Sequence, residues 1–230
     1  MLISVHMPKA AGTSCLYLFE KIYGARLFLD YDDKILHKSK FIKRKDAIFS
    51  MSKNRLNISK YANIDCIHGH FMPLKYRFID SQDAVFLTWL RHPVQRLISH
   101  YYYWVRETSF SEEETLRQRF VQEKWSLRRF CLSEELRDIY SKFLWGFPLR
   151  CFNFIGITEF FEEDMSCFSK RMFGSEKKIM LTNFNPNRDE NLYSIDNTFR
   201  KEIESFHRRD MELYEEALEL RLLRLKKLSP

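Results

Sequence analysis

The chain has 230 residues, 45% of them apolar and 30% charged, with a formal net charge of +7. That length provides one good hydrophobic core and is short for two domains, and the sequence holds no apolar run of the roughly 18 residues that a membrane span needs. The positive balance suits anionic partners (a nucleotide, an acidic glycan, nucleic acid or an anionic membrane) and does not choose among them.

The chain opens on Leu2-Ile3-Ser4-Val5, a short apolar run with the β-branched content of a buried strand. A tight polar loop follows, Pro8-Lys9-Ala10-Ala11-Gly12-Thr13-Ser14, and then an amphipathic run from Leu16 to Tyr23 that stops at Gly24. Strand, small-residue loop and helix together build an anion site, because the first amides of a helix lack partners inside it and its dipole favours negative charge there. Gly12 lets the backbone come close to a ligand. Thr13 and Ser14 add hydroxyls and Lys9 adds a cation. The alternative is an ordinary strand-to-helix turn with a surface lysine.

Further along, Asp30 to Lys60 is rich in Lys, Ser, Asn and Asp and contains Lys40-Phe41-Ile42-Lys43-Arg44-Lys45-Asp46. It reads as solvated helices and loops, or as a basic rim that helps hold an acidic acceptor. Cys66 and Ile67 form a short buried strand leading into His68-Gly69-His70. Residues two apart in extended chain share a face, so the two imidazoles point the same way, and Gly69 leaves room for an approach to the backbone. A metal pair would need a third ligand, and none has convincing spacing. A general base with a helper remains, beside the structural role that a lone histidine more often has.

Ala84 to Leu90 is the clearest buried strand, and its near-continuous apolar run suits a central parallel strand. It leads straight into Arg91-His92-Pro93, where Pro93 suits the first turn of a helix. Val94, Leu97, Ile98, Tyr101 and Val105 supply that helix's core-facing stripe, and Ser99 lies about two turns in. Ser111 to Tyr140 is charged and helix-favouring; Trp125, Arg128 and Arg129 could touch a sugar and its acids, although helix packing accounts for them too. Phe154 to Ile157 is another apolar strand, followed by Thr158-Glu159 and a helix. Leu181 to Asn191 is a turn-rich loop. A long charged helix runs from Asn197, and its basic end, Leu220 to Lys227, is a surface helix or a membrane or partner contact.

Cys15, Cys66, Cys131, Cys151 and Cys167 are odd in number and lack metal spacing, so free thiols in a reducing compartment are expected. A chain entering a strand directly from Met1 leaves no room for a signal peptide, and the expected compartment is the cytoplasm.

The first loop is not a Walker A loop, in which Gly, four residues and Gly-Lys-Ser/Thr follow in that order. It resembles the 5'-phosphosulfate loop of sulfotransferases that use PAPS (3'-phosphoadenosine 5'-phosphosulfate), with Ala10 where that family often has Thr. Arg91-His92-Pro93-Val94-Gln95-Arg96-Leu97-Ile98-Ser99-His100-Tyr101 is similar to the family's 3'-phosphate motif. His68-Gly69-His70 resembles a segment of the uronosyl 2-O-sulfotransferases, in which a histidine serves as base. Ile155-Gly156-Ile157-Thr158-Glu159 and Asp210-Met211-Glu212-Leu213-Tyr214 resemble later family segments.

The resemblance implies one sulfotransferase domain over 1–230, an α/β fold with a parallel sheet flanked by helices, of the P-loop NTPase-like sulfotransferase type. It implies in-line transfer of a sulfuryl group from PAPS, with PAP as product and no metal, to a hydroxyl acceptor, expected to be a glycan. Nucleic acid is not the expected partner, and the oligomeric state is open. His70 would be the base, with His68 orienting it or binding the acceptor. Lys9, Ala10, Ala11, Gly12, Thr13 and Ser14 would cradle the 5'-phosphate, and Lys9 would also stabilise charge in the transition state. Arg91 and Ser99 would hold the 3'-phosphate, while Arg96 would be structural or solvent-facing. A closing loop at Asn187 and Arg188 would cover the donor. The rivals are a P-loop-like nucleotide kinase and a non-catalytic module that binds anions or glycans. The kinase needs a Mg-binding arrangement, and the sequence offers neither Gly-Lys-Ser/Thr nor a strand expected to end in Asp.

Overall fold

A computed structural model describes residues 1–79, 84–107, 115–175 and 193–227. Five strands are described: β1 (Leu2–Val5), β2 (Leu27–Asp30), β3 (Cys66–Gly69), β4 (Val85–Leu90) and β5 (Phe154–Ile157). They form one sheet in the order β2-β3-β1-β4-β5, and every pairing is parallel. All four residues of β1, β3 and β5 are buried. Successive strand residues point to opposite faces, so helices and loops cover the sheet on both sides, as parallel sheets require.

The helices are α1 (Gly12–Tyr23), α2 (Lys40–Leu56), α3 (Pro93–Arg106), α4 (Thr115–Gln122), α5 (Leu127–Cys131), α6 (Ile139–Phe143), α7 (Phe161–Phe173), α8 (Asn197–Phe206) and α9 (Arg208–Lys226). Aromatic rings knit them to the sheet: Phe168 of α7 meets Phe19 of α1 and Phe154 of β5. On α3, Val94, Leu97 and Ile98 are buried as expected, but the last turn brings Trp104 inward and leaves Val105 half exposed.

Three sequence expectations change. β2 was not anticipated, and it does end in Asp. Asp30 is buried and engaged, however: its carboxylate accepts a hydrogen bond from the Tyr76 hydroxyl at 2.6 Å and pairs with Lys75 Nζ at 2.7 Å. The room at Gly69 is taken by that same edge strand, since a Cβ there would lie 1.8 Å from the Asp30 carbonyl oxygen. The C-terminal helix is two helices broken at His207, whose Nδ1 accepts from the Asp138 amide at 3.2 Å and whose Nε2 donates to the Cys131 carbonyl at 2.7 Å. The cysteines are free; Cys15, Cys66 and Cys131 are buried.

Strand order locates the functional end. The chain leaves β1 toward β3 and β2, then crosses β1 to reach β4 and β5. Connections after β1 and β4 therefore diverge and open a crevice at their carboxyl ends, where ligands bind in sheets of this kind. Lys9 follows β1, His70 follows β3 and Arg91 follows β4.

Candidate active site

The loop after β1 is tightly wound. The Ala10 amide donates to the Met7 carbonyl at 3.1 Å, and Lys9 and Ala11 adopt φ of +65° and +59°. For residues with a Cβ this left-handed region costs about 1–3 kcal/mol each and is held by the surrounding structure. The N-cap residue of α1 is Ala11, whose side chain makes no capping hydrogen bond. Its N-terminal turn, Gly12, Thr13 and Ser14, thus sets backbone amides and the positive end of the helix dipole where an anion can stand in for a capping oxygen. Ala10 and Gly12 are buried beside it.

Gly12 is needed for a reason the sequence did not disclose. A Cβ there would meet the ring of His6, with Nε2 at 1.7 Å. The space expected for a ligand is filled by this imidazole, and only the amide side of Gly12 remains available. His6 stacks on His70 with centroids 4.2 Å apart and on His68 at 5.3 Å. A single histidine before a loop carries no sequence signal of its own, and for that reason it was overlooked.

His68 and His70 do come together, both against His6, but their surroundings differ. His68 Nδ1 lies 2.9 Å from Ser4 Oγ, and its Nε2 is buried without a hydrogen-bond partner among the described residues. His70 Nδ1 lies 2.6 Å from the His6 carbonyl oxygen. A carbonyl only accepts, so Nδ1 carries the proton and Nε2 holds the lone pair. The bond that orients His70 comes from His6 and not from His68. Burial pushes the His70 pKa down to about 4, with the hydrogen bond to His6 opposing the shift. His68 is pushed down to about 3 by burial and by the charge of His70. His6 is lowered by burial, then by His70, His68 and Lys9. Around neutral pH all three are uncharged bases.

Cations surround this cluster. Burial, then the charges of Arg106 and Arg91, lower the Lys9 pKa to about 8. Lys9 Nζ sits 4.0 Å from the centre of the Tyr103 ring. Arg106 and Tyr103 lie on α3, one helix turn apart, and neither was singled out in the sequence. His100, also on α3, is buried and its pKa falls through burial, Arg96, Lys9 and His70. Lys9, His70, Arg91 and the inner face of α3 thus converge on one region.

Arg91 is held by its backbone. The Tyr140 hydroxyl donates to the Arg91 carbonyl at 2.6 Å and accepts from the Arg91 amide at 3.0 Å. The Arg91 guanidinium lies 5.9 Å from the Tyr193 ring, and Gln95 fixes Tyr193 with two hydrogen bonds, of 2.9 and 2.7 Å, to its carbonyl and amide. The next residue, His92, donates its amide to Glu159 Oε1 at 2.9 Å. Ser99 is buried on α3. Arg96 is fully buried, not solvent-facing; its guanidinium packs 5.6 Å from the Tyr140 ring and makes no hydrogen bond to a described residue. Asn187 and Arg188 lie outside the described residues. No His, Cys, Asp or Glu cluster suited to a metal ion is found among the described residues.

Neither a protein-family profile nor a curated protein matches the chain. Among solved structures, a crystal structure of a sulfotransferase from Alicyclobacillus acidocaldarius is similar over 93% of both chains, at 16% identity and a TM-score of 0.45. At that level the likeness transfers no function. The parallel sheet, its strand order and the residues at its carboxyl edge stand on their own geometry.

Proposed function

We propose that this chain is a sulfotransferase that moves a sulfuryl group from PAPS to a hydroxyl acceptor, with a glycan as the acceptor class. The observation that carries the reading is the meeting, at one end of the sheet, of a neutral, oriented His70 with the N-terminus of α1 and Lys9. Anion cradle and general base are the two groups that such a transfer needs.

In this reading the amides of Gly12, Thr13 and Ser14 and the Lys9 ammonium hold the 5'-phosphate. They stabilise the charge that gathers on it as the S–O bond breaks, more strongly in the transition state than before it. Arg91 forks onto the 3'-phosphate, with Ser99 as a hydroxyl donor. His70 Nε2 takes the acceptor proton as the new S–O bond forms, a contribution of about a hundred- to ten-thousand-fold in rate. His68, buried behind His6, supports the stack. The basic surface favours an acidic glycan over a neutral one.

The experiment is calorimetric titration with PAP beside ADP, each with and without Mg²⁺. The expected result is PAP binding that ignores Mg²⁺, needs the 3'-phosphate and weakens at least about tenfold in Arg91→Ala, the loss of one bidentate charged contact. A preference for ADP with Mg²⁺ would overturn the reading in favour of a kinase. PAP binding with no turnover of any hydroxyl acceptor, unchanged by His70→Gln, would leave a binding module.

A further inference from the structure

Helix α2 is built inside out. Its buried stripe carries no large apolar side chain: Lys43, Ala47 and Asn54 face the protein. Lys43 Nζ reaches the Ile35 carbonyl at 3.4 Å, and Asn54 donates to the Lys75 carbonyl and accepts from the Tyr61 hydroxyl, both at 3.0 Å. The opposite side is apolar. Positions 41, 45, 48, 49, 52 and 56 follow the i, i+4, i+7, i+8 spacing of one helix face, and four of them are Phe41, Ile48, Phe49 and Leu56. Phe41 is 76% exposed, Phe49 68% and Leu56 84%. A soluble surface helix carries its apolar stripe inward; large rings turned outward together mark a contact surface.

The charges on this face are of one sign. Lys40, Lys45, Lys53, Arg55 and Lys60 are exposed. The single acidic residue of α2, Asp46, is tied to Lys38 at 2.8 Å. At one edge the Arg55 and Arg77 guanidinium groups lie 5.7 and 5.8 Å from the ring of Phe78, which is itself exposed. Outward rings flanked by lysine and arginine match an anionic bilayer surface: the rings enter the boundary between headgroups and acyl chains while the cations meet phosphate and carboxylate headgroups. A second copy of the chain would bring two strongly positive faces together, which like charge opposes. No described helix is long and apolar enough to cross a membrane, so the contact is peripheral.

We infer that the outer face of α2 docks this protein on anionic lipid bilayers. The test is co-sedimentation of the full chain with phosphatidylcholine vesicles, with and without phosphatidylserine, at low and high salt. The expected result is binding to the serine-containing vesicles at least about tenfold above that to pure phosphatidylcholine, weakened by salt. Phe41→Ser/Phe49→Ser and Lys45→Glu/Arg55→Glu should each lose about tenfold or more without a change in melting temperature, since these side chains are exposed. Leu222→Ser/Leu223→Ser, at two exposed apolar positions of α9, should bind as the unmodified protein does. Equal sedimentation with and without phosphatidylserine, or a loss that follows the α9 variant in place of the α2 variants, would overturn the inference. So would absence of vesicle binding, whether or not light scattering showed a dimer broken by Phe49→Ser.

Discussion

His70 gives its Nδ1 proton to the backbone carbonyl of His6 at 2.6 Å, and the His6 ring stacks on it at 4.2 Å. His6 thereby sets the tautomer of His70, while burial keeps it neutral against the pull of that bond. The bond leaves the lone pair on Nε2, and burial pushes the pKa down to about 4. A base of this kind is not lost until the medium is strongly acidic. Turnover should stay level from neutral pH to about pH 5 and fall with a midpoint near 4, where an ordinary histidine would fall near 6.5. A kcat/KM profile with a midpoint between 6 and 7 would contradict the assignment of His70 as base. His70→Gln, which keeps a polar side chain but no base, should lose about a hundredfold or more in kcat while PAP affinity holds.

Lys9 carries its charge under burial and next to Arg106 and Arg91, which brings its pKa to about 8. For a lysine, a depressed folded pKa means stability that is present above about 10.5 and lost as pH falls through about 8. At neutral pH the charged amine therefore stands at a cost that a bound anion relieves. Anion binding should take up a proton between pH 8 and 10, and PAP affinity should fall across that window by up to about tenfold per pH unit. Calorimetry in buffers of different ionisation enthalpy reads the proton directly. In Lys9→Arg, which does not titrate there, the pH dependence should vanish; if it persists, Lys9 does not meet the anion.

What could be read from sequence follows from which signals were local. β1 and β4 are near-continuous apolar runs, followed by Lys9 four residues on and by Arg91 at once, so both strands were visible. β3 was visible through Cys66, Ile67 and the paired histidines. β2 was missed because it is a four-residue edge strand whose residues are mostly half-exposed, with an apolar run of only three, Leu27 to Leu29. His6 was missed because its role lies in the stack and in filling the space over Gly12, contacts that form only once β1, β3 and α1 are assembled. Tyr140 was missed because it reaches Arg91 across the chain. Arg96 was left as structural or solvent-facing because nothing local in the sequence announces that α3 turns it into the core, where it is fully buried.

Gly12 and His6 should behave as one unit. A methyl at Gly12 collides with the His6 ring, at 1.7 Å from Nε2. Gly12→Ala should destabilise the protein by about 1–3 kcal/mol, as overpacking does, and should weaken PAP binding by displacing the first turn of α1. His6→Ala opens the space, so the double variant should recover part of the stability lost in Gly12→Ala. Chemical denaturation of the four proteins gives the coupling energy; strict additivity would mean that the ring can move aside and is not packed on Gly12.

Stability should fall as acid is added from about pH 6.5 to 4. His68 is lowered to about 3, and His70, His92 and His207 to about 4, by burial first. Burial also lowers His6 and His100. For each, the unfolded chain binds the proton more readily, so the stabilising contribution is complete above about 6.5 and is lost as pH drops through the folded pKa. Asp210 acts in the opposite sense: burial raises it to about 6, so its contribution is present in acid and lost as pH rises through that value. One group against six leaves the balance with the histidines. The melting temperature should decline steadily below pH 6.5, and a maximum near pH 5 would refute this.

Asp164 fastens the last helix to the sheet. It is fully buried, accepts the Ile157 amide at 2.8 Å, and pairs with Arg221 Nε at 3.0 Å and an Arg224 terminal nitrogen at 2.6 Å. Arg224 also donates to the Ile155 carbonyl at 2.6 Å, which ties α9 along β5. Removing one member of a buried ionic group strands the others, at a typical cost of about 3–5 kcal/mol. Asp164→Ala should show that loss in chemical denaturation, and Asp164→Asn only slightly less, because the amide keeps a hydrogen-bond acceptor but not the charge. Arg221→Ala should cost less, since Arg224 still neutralises Asp164. Losses ranked in the reverse order would mean that α9 is held by its apolar contacts and not by this carboxylate.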